Sequence, residues 1–93
     1  MHVAQPAHGR RMVAFVAPGS GTVAFIAGRR VGGAVQRNRA RRILRAAWSQ
    51  VAPQADGEYD VAWVARSGIS GARTQDLVTE MGELLRRGRA APS

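Results

Sequence analysis

Cysteine is absent from the 93 residues, so a disulfide framework, a thiolate metal site and a thiol nucleophile are all excluded. Lysine is absent as well. All fourteen basic residues are arginine, which rules out a Walker A phosphate loop. Aromatics are few, with two Trp, one Tyr and two Phe, and much of the apolar content is Ala and Val, so a small core is expected. A chain of this length buries only about 60 to 65% of the surface its unfolded form exposes. No run approaches the roughly 18 apolar residues of a membrane span, and "MHVAQPAHG" at the front has no signal-peptide core. The expectation is one soluble domain in a reducing cytoplasm, without a membrane partner.

Acid is missing from a whole part of the chain. Residues 1–55 hold nine arginines (10, 11, 29, 30, 37, 39, 41, 42, 45) and no Asp or Glu, a balance of +9. Residues 56–93 hold five arginines against six acids, a balance of −1. Such asymmetry points to a polyanionic partner. GC-rich codon usage produces an all-arginine bias without selection on chemistry, yet the physical result stands: planar guanidiniums fork onto phosphate and stack on bases.

Periodicity gives the elements. "RRMVAFVA" (10–17) and "TVAFIA" (22–27) read as strands joined by "PGSG", most simply as an antiparallel hairpin. From Ala34 to Val51 the period becomes helical, with Ala40, Ile43, Leu44, Ala47, Trp48 and Val51 on one face. Pro53 and "QADGEYD" stop that helix, and "YDVAWVAR" (59–66) is a third strand. Thr74 is placed to cap a last helix with Leu77, Val78, Met81, Leu84 and Leu85 inward, and Gly88 to end it. Residues 1–9 and 89–93 are expected to be disordered. Two one-sided helices on a small sheet make an α+β domain, with the arginine helix crossing between two strands that can run parallel.

The arginine helix carries the strongest functional signal. A solvated face normally mixes charge signs at i,i+4 spacing, whereas Arg37, Arg41 and Arg45 are successive like-charge neighbours that cost the free protein stability. An anionic partner relieves that repulsion. Arg29 and Arg30 precede "VGGAV", whose glycines let backbone N–H groups approach an anion, although basic pairs in solvated turns are common. Asn38, between Arg37 and Arg39, offers donor and acceptor for a 2′-hydroxyl or base edge, or is an ordinary exposed amide. Phe15, Phe25, Trp48 and Trp63 are either stacking platforms or core, with Phe15, near Arg10 and Arg11, the one set for an exposed sheet face. Catalytic constellations are lacking: His2 and His8 have no paired acid or metal-ligand spacing, Ser20, Ser67 and Ser70 have no nucleophile-elbow context, and the acids are scattered.

The stretch "GRRVGGAVQRNRARRILRAAW" (28–48) resembles the protein subunit of bacterial ribonuclease P, whose members carry a basic pair, a glycine and "AV", then Arg-Asn-Arg on an amphipathic basic helix. The resemblance implies a compact α+β domain like one domain of a ribosomal small-subunit protein, with a left-handed βαβ crossover. It also implies removal of the 5′ leader of precursor tRNA, with hydrolysis by a catalytic RNA subunit and Mg²⁺ held mainly by that RNA. The polypeptide itself would supply no catalytic residue and no metal ligand, and no further protein partner would be required. Arg37, Asn38, Arg39, Arg41, Arg42 and Arg45 match the family's RNA-contacting helix and Arg29 and Arg30 its basic pair. Phe15, with Arg10 and Arg11, falls at the cleft that holds the leader. Gly33 stands where an Asn or basic residue is usual. Members usually have a basic N-terminal helix before the first strand; only "MHVAQPAHG" stands there in this sequence, so that helix is expected to be missing. The competing readings are a non-enzymatic RNA-binding or ribosome-associated module and a DNA-binding domain with the arginine helix in a major groove. The second lacks a partner helix in front.

Overall fold

The computed structural model describes residues 5–52 and 59–90. Four strands and two long helices follow in the order β1 (Gln5–His8), β2 (Met12–Pro18), β3 (Val23–Ala27), α1 (Ala34–Val51), β4 (Tyr59–Ala65) and α2 (Thr74–Ala90). Short 3-10 turns at Arg29–Val31 and Ser67–Ile69 precede α1 and α2. The sheet order is β1-β2-β4-β3, antiparallel except where β3 and β4 run parallel on either side of the α1 crossover.

Each strand sends alternate residues to the helix side. Met12, Ala14 and Val16 of β2 and Val61, Trp63 and Ala65 of β4 are buried there, with Val23, Phe25 and Ala27 of β3 packed beside them. The helices close that side with Ala40, Ile43, Leu44, Ala47 and Val51 of α1 and Leu77, Met81, Leu84 and Leu85 of α2. Trp63 and Leu44 are fully buried at the centre. Both helical faces match their periodicity, and α1 spans the residues the pattern marks.

The expected hairpin between 10–17 and 22–27 does not form. Strand β4 lies between β2 and β3. Residues 19–22 are long enough for this, because skipping one strand means crossing about 10 Å, and an extended residue covers about 3.3 Å. Two bonds fix the detour: Asp60 Oδ1 accepts the N–H of Ser20 at 3.0 Å and of Thr22 at 2.9 Å. A third joins the strands, from Val61 N–H to the Thr22 carbonyl at 2.9 Å. In β4, Ala62 and Val64 lie on the far side of the sheet from Val61, Trp63 and Ala65.

The bond from Thr22, then that from Ser20, holds the Asp60 carboxyl below its ordinary 3.8. A group with a lowered folded-state pKa stabilises the fold above its unfolded value, and that contribution is lost as pH falls through the folded value. Asp60→Asn is therefore expected to flatten the fall of Tm between roughly pH 5 and pH 2. Parallel acid profiles for the two proteins, by circular dichroism, contradict this role.

Three further expectations change. Residues 5–8 are not disordered: they form β1, an edge strand where Pro6 is tolerated, joined to β2 through Gly9, whose N–H donates to the Met12 carbonyl at 2.8 Å. Residues 1–4 and 91–93 lie outside the described residues, and the first described element is β1. Helix α2 does not stop at Gly88 but runs to Ala90, taking in Arg89. Glycine is there for closeness, since a Cβ at 88 would sit 2.6 Å from Cγ2 of Val16 on β2. The first turn of α2 is closed by Asp76, whose Oδ2 accepts the Arg73 N–H at 3.0 Å.

A candidate polyanion-binding face

Helix α1 carries five arginines, Arg37, Arg39, Arg41, Arg42 and Arg45. At about 100° per residue, Arg37, Arg41 and Arg45 lie on one flank of the buried stripe, about 6 Å apart along the axis. Arg39 and Arg42 lie on the other, with Asn38 between the two sets. The buried residues Ala40, Ile43, Leu44 and Ala47 fix this rotation by docking on the sheet and α2, which leaves Arg42 and Arg45 exposed and Arg37, Arg39 and Arg41 half-buried at the edges of the stripe.

Their partners are neutral. The guanidinium of Arg41 donates to Oδ1 of Asn38, and that of Arg39 donates to the Ala72 carbonyl at 2.7 Å. The Arg45 guanidinium stands 5.6 Å from the centre of the Phe25 ring, a cation–π contact. Among the described residues, Arg11–Glu80 is the single ion pair, and no carboxylate reaches an α1 arginine. Among the described residues the like-charge row thus has no acidic partner. Asn38 is exposed, and its amide oxygen is engaged by Arg41.

At the head of α1 the chain makes the 3-10 turn Arg29–Val31, with both arginines exposed and Val31 buried as an anchor. Gly32 has φ +138°, a region that side chains disfavour, and the Gln36 side chain folds over it. No side chain caps the α1 N-terminus and its first turn has no acid, so the partial positive charge of the helix end adds to that of Arg29 and Arg30.

The aromatics divide by face. Trp63 is fully buried, Trp48 packs half-buried against it with ring centres 5.7 Å apart, and Phe25 packs on the core side. Phe15 points the other way and is 38% exposed. The registers set Pro6 beside it on one side and Ala62, then Ala24, on the other, so a low alanine floor flanks the ring. Ile26, 47% exposed, extends this open face. Sequence reading does not mark Ile26, because "TVAFIA" is apolar at both parities.

Arg10 and Arg11, expected together at the cleft, part company. Arg10 is exposed. Arg11 is held by α2: its backbone N–H donates to Glu80 Oε2 at 2.8 Å and its guanidinium to Oε1 at 3.1 Å. Its charge is answered inside the chain, and Arg10 lines a cleft against α2 together with Asp76, Glu80 and Glu83, so the open face keeps Phe15 without either arginine of the pair. Arg66 was not singled out either; its guanidinium donates to the Gly9 carbonyl at 2.9 Å and holds the same turn.

A mixed-sheet α+β domain with an arginine-rich helix on one side and an open apolar sheet face on the other has the make-up of the small basic α+β domains. Comparison with known proteins narrows this class. The family model for Ribonuclease P matches residues 2–89, and the chain belongs to that family. The ribonuclease P protein component of Chloroflexus aurantiacus is 39% identical over 70 residues, a match covering 74% of this chain and 52% of that protein. The one from Nitratiruptor is 39% identical over 66 residues, covering 70% of this chain and 59% of its own length. The chain thus spans between half and three fifths of these curated relatives. Among solved structures, the ribonuclease P protein of Thermotoga maritima superposes with a TM-score of 0.75 at 14% identity, covering 90% of this chain and 83% of that one. The Staphylococcus aureus ribonuclease P protein gives 0.71 at 17% identity, with 90% and 80% covered. These two likenesses establish the fold.

Proposed function

We propose that this chain is the protein subunit of a ribonuclease P ribonucleoprotein, which binds the catalytic RNA and the 5′ leader of precursor tRNA and promotes removal of the leader. One observation carries the reading: a chain of this family holds a row of helix arginines to which no described carboxylate is paired. Arg29, Arg30, Arg37, Asn38, Arg39, Arg41, Arg42 and Arg45 dock on the RNA backbone, and the binding energy comes largely from release of condensed counterions. The leader runs as an extended strand over the open sheet face, where a base stacks on Phe15 above the alanine floor, and exposed Arg10, at the turn before β2, meets a phosphate where the strand leaves that face.

Mg²⁺ belongs to the RNA in this scheme, where it supplies the activated water and stabilises the leaving oxygen. The α1 face offers guanidiniums and one amide, whereas a hard cation calls for carboxylate oxygens. Among the described residues no three His, Asp or Glu side chains gather to hold a metal ion. No described helix is long and apolar enough to cross a membrane.

Neutralising phosphates lowers the Mg²⁺ needed to fold and load the RNA. Adding the protein to a bacterial ribonuclease P RNA at low Mg²⁺ is therefore expected to raise cleavage of precursor tRNA, by at least about tenfold if several phosphate contacts form. Gel-resolved single-turnover rates measure it. A folded sample that binds the RNA yet leaves the rate unchanged favours a non-enzymatic RNA-binding module.

A further inference from the structure

A second binding feature lies beside the head of α1. A half-enclosed cavity of about 260 Å³ opens between the Arg29–Val31 turn, the first turns of α1 and the Ser67–Ile69 turn that leads to α2. Buried Val31, Ala40 and Ile69 form its floor, and Gln36, Arg39 and Ser70, all at least partly exposed, form its rim. Its volume falls just under the roughly 300 Å³ at which drug-sized sites begin, so one planar ring system fits and a longer ligand does not. The chemistry is that of a nucleotide: an apolar floor for a ring, an amide and a hydroxyl for its edge, and the Arg39 guanidinium at the rim. Arg39 spends one donor on the Ala72 carbonyl, leaving others of its five for an anion. Gln36, in the first turn of α1, ties this rim to the uncapped helix end, its side chain packing against Gly32 just after the Arg29–Val31 turn.

We infer that this cavity receives a single unstacked nucleotide of the bound RNA, its base on Val31, Ala40 and Ile69 and its phosphate toward Arg39 and the α1 N-terminus. The inference rests on the RNA-binding reading given above and adds one thing to it. Besides sequence-neutral phosphate contacts, the chain has a point at which a bulged or looped base is gripped. Double-stranded RNA cannot reach such a site, because its bases are stacked, so the pocket favours an RNA with an unpaired nucleotide at that point.

The test uses the full chain, labelled with ¹⁵N. Adenosine monophosphate is expected to shift the amides of Gln36, Ile69 and Ser70, together with those of Gly33 to Val35. Inorganic phosphate is expected to shift only the second group. Ser70→Trp fills the cavity and abolishes the first set; if that variant fails to fold, Ser70→Leu is read in the same way. On a bacterial ribonuclease P RNA the filled variant is expected to bind about tenfold more weakly, the worth of one stacked base, with an unchanged salt slope. Absence of adenosine monophosphate shifts at Ile69 and Ser70 overturns the pocket. Equal RNA affinity of the filled and native proteins overturns the RNA as its source and leaves a free mononucleotide. Failure of the native chain to bind that RNA at all defeats the proposed function and the RNA source together, while the adenosine monophosphate shifts still decide whether the pocket takes a nucleotide.

Discussion

Replacing Trp63 by Ala is expected to lower stability by roughly 3 to 5 kcal/mol, which for a domain this small takes most of the margin. Trp63 has no exposed surface, stands at the centre of the sheet between β2 and β3, and packs against Trp48 at 5.7 Å between ring centres. With so few large side chains inside, neighbours such as Ala14, its partner across β2, are too small to collapse into the gap. Trp63→Phe is the informative companion. Among the described residues nothing accepts a hydrogen bond from Trp63 Nε1, although the atom is buried. Phenylalanine removes that desolvated donor, itself a burden of about 1 to 3 kcal/mol, so its smaller void is partly offset and the loss stays under about 2 kcal/mol. Urea unfolding of the three proteins separates the cases. Equal midpoints for the Ala and Phe variants would falsify the view that ring volume at this point holds the sheet to the helices.

Local physics explains which parts of the fold are legible in the sequence. Helix α1 is readable to its ends because a 3.6-residue period, glycines in front and Pro53 behind all act within the segment. Strand order is a different matter. "RRMVAFVA" and "TVAFIA" look like hairpin partners until β4, some 35 residues later, takes the place between them. Nothing within either strand encodes that competitor. Strand β1 is quieter still: "QPAH" has no apolar alternation, and Ala7 is its one described buried side chain. Gly88 resembles a helix stop by its type, and only its distance to Val16 reveals a packing contact inside α2.

The same distinction runs through the site. The arginine row survives folding as a row because the apolar stripe alone determines which way α1 turns. Arg11 does not keep its expected place, since its partner Glu80 is 69 positions away. Phe15 is set apart in the sequence only by its nearness to Arg10 and Arg11; the side on which α1 and α2 settle leaves it exposed and makes Phe25 core. The cavity beside α1 is beyond sequence reading altogether, because its floor joins Val31 and Ile69 from turns on opposite sides of the crossover.

Exchanging Arg37, Arg41 and Arg45 together for Ala is expected to reduce RNA affinity about a hundredfold at physiological salt. Each phosphate contact contributes roughly 0.7 to 0.9 to the slope of log K against log[salt], so three contacts flatten it by about 2.1 to 2.7. Carried from 1 M to about 0.15 M salt, that is about two decades in K. The fold provides the control. Removing the row relieves two like-charge i,i+4 relations and gives up the Arg45 contact with Phe25, effects of similar size and opposite sign. Stability should therefore stay within about 1 kcal/mol of the native protein, and a large loss of binding is then a loss of charge at the interface. Arg42→Ala, on the other flank, is expected to flatten the slope by one contact only. Filter binding of a bacterial ribonuclease P RNA across a salt series measures both variants, and an unaltered slope in the triple variant would return the row to solvent and leave its repulsion without a purpose.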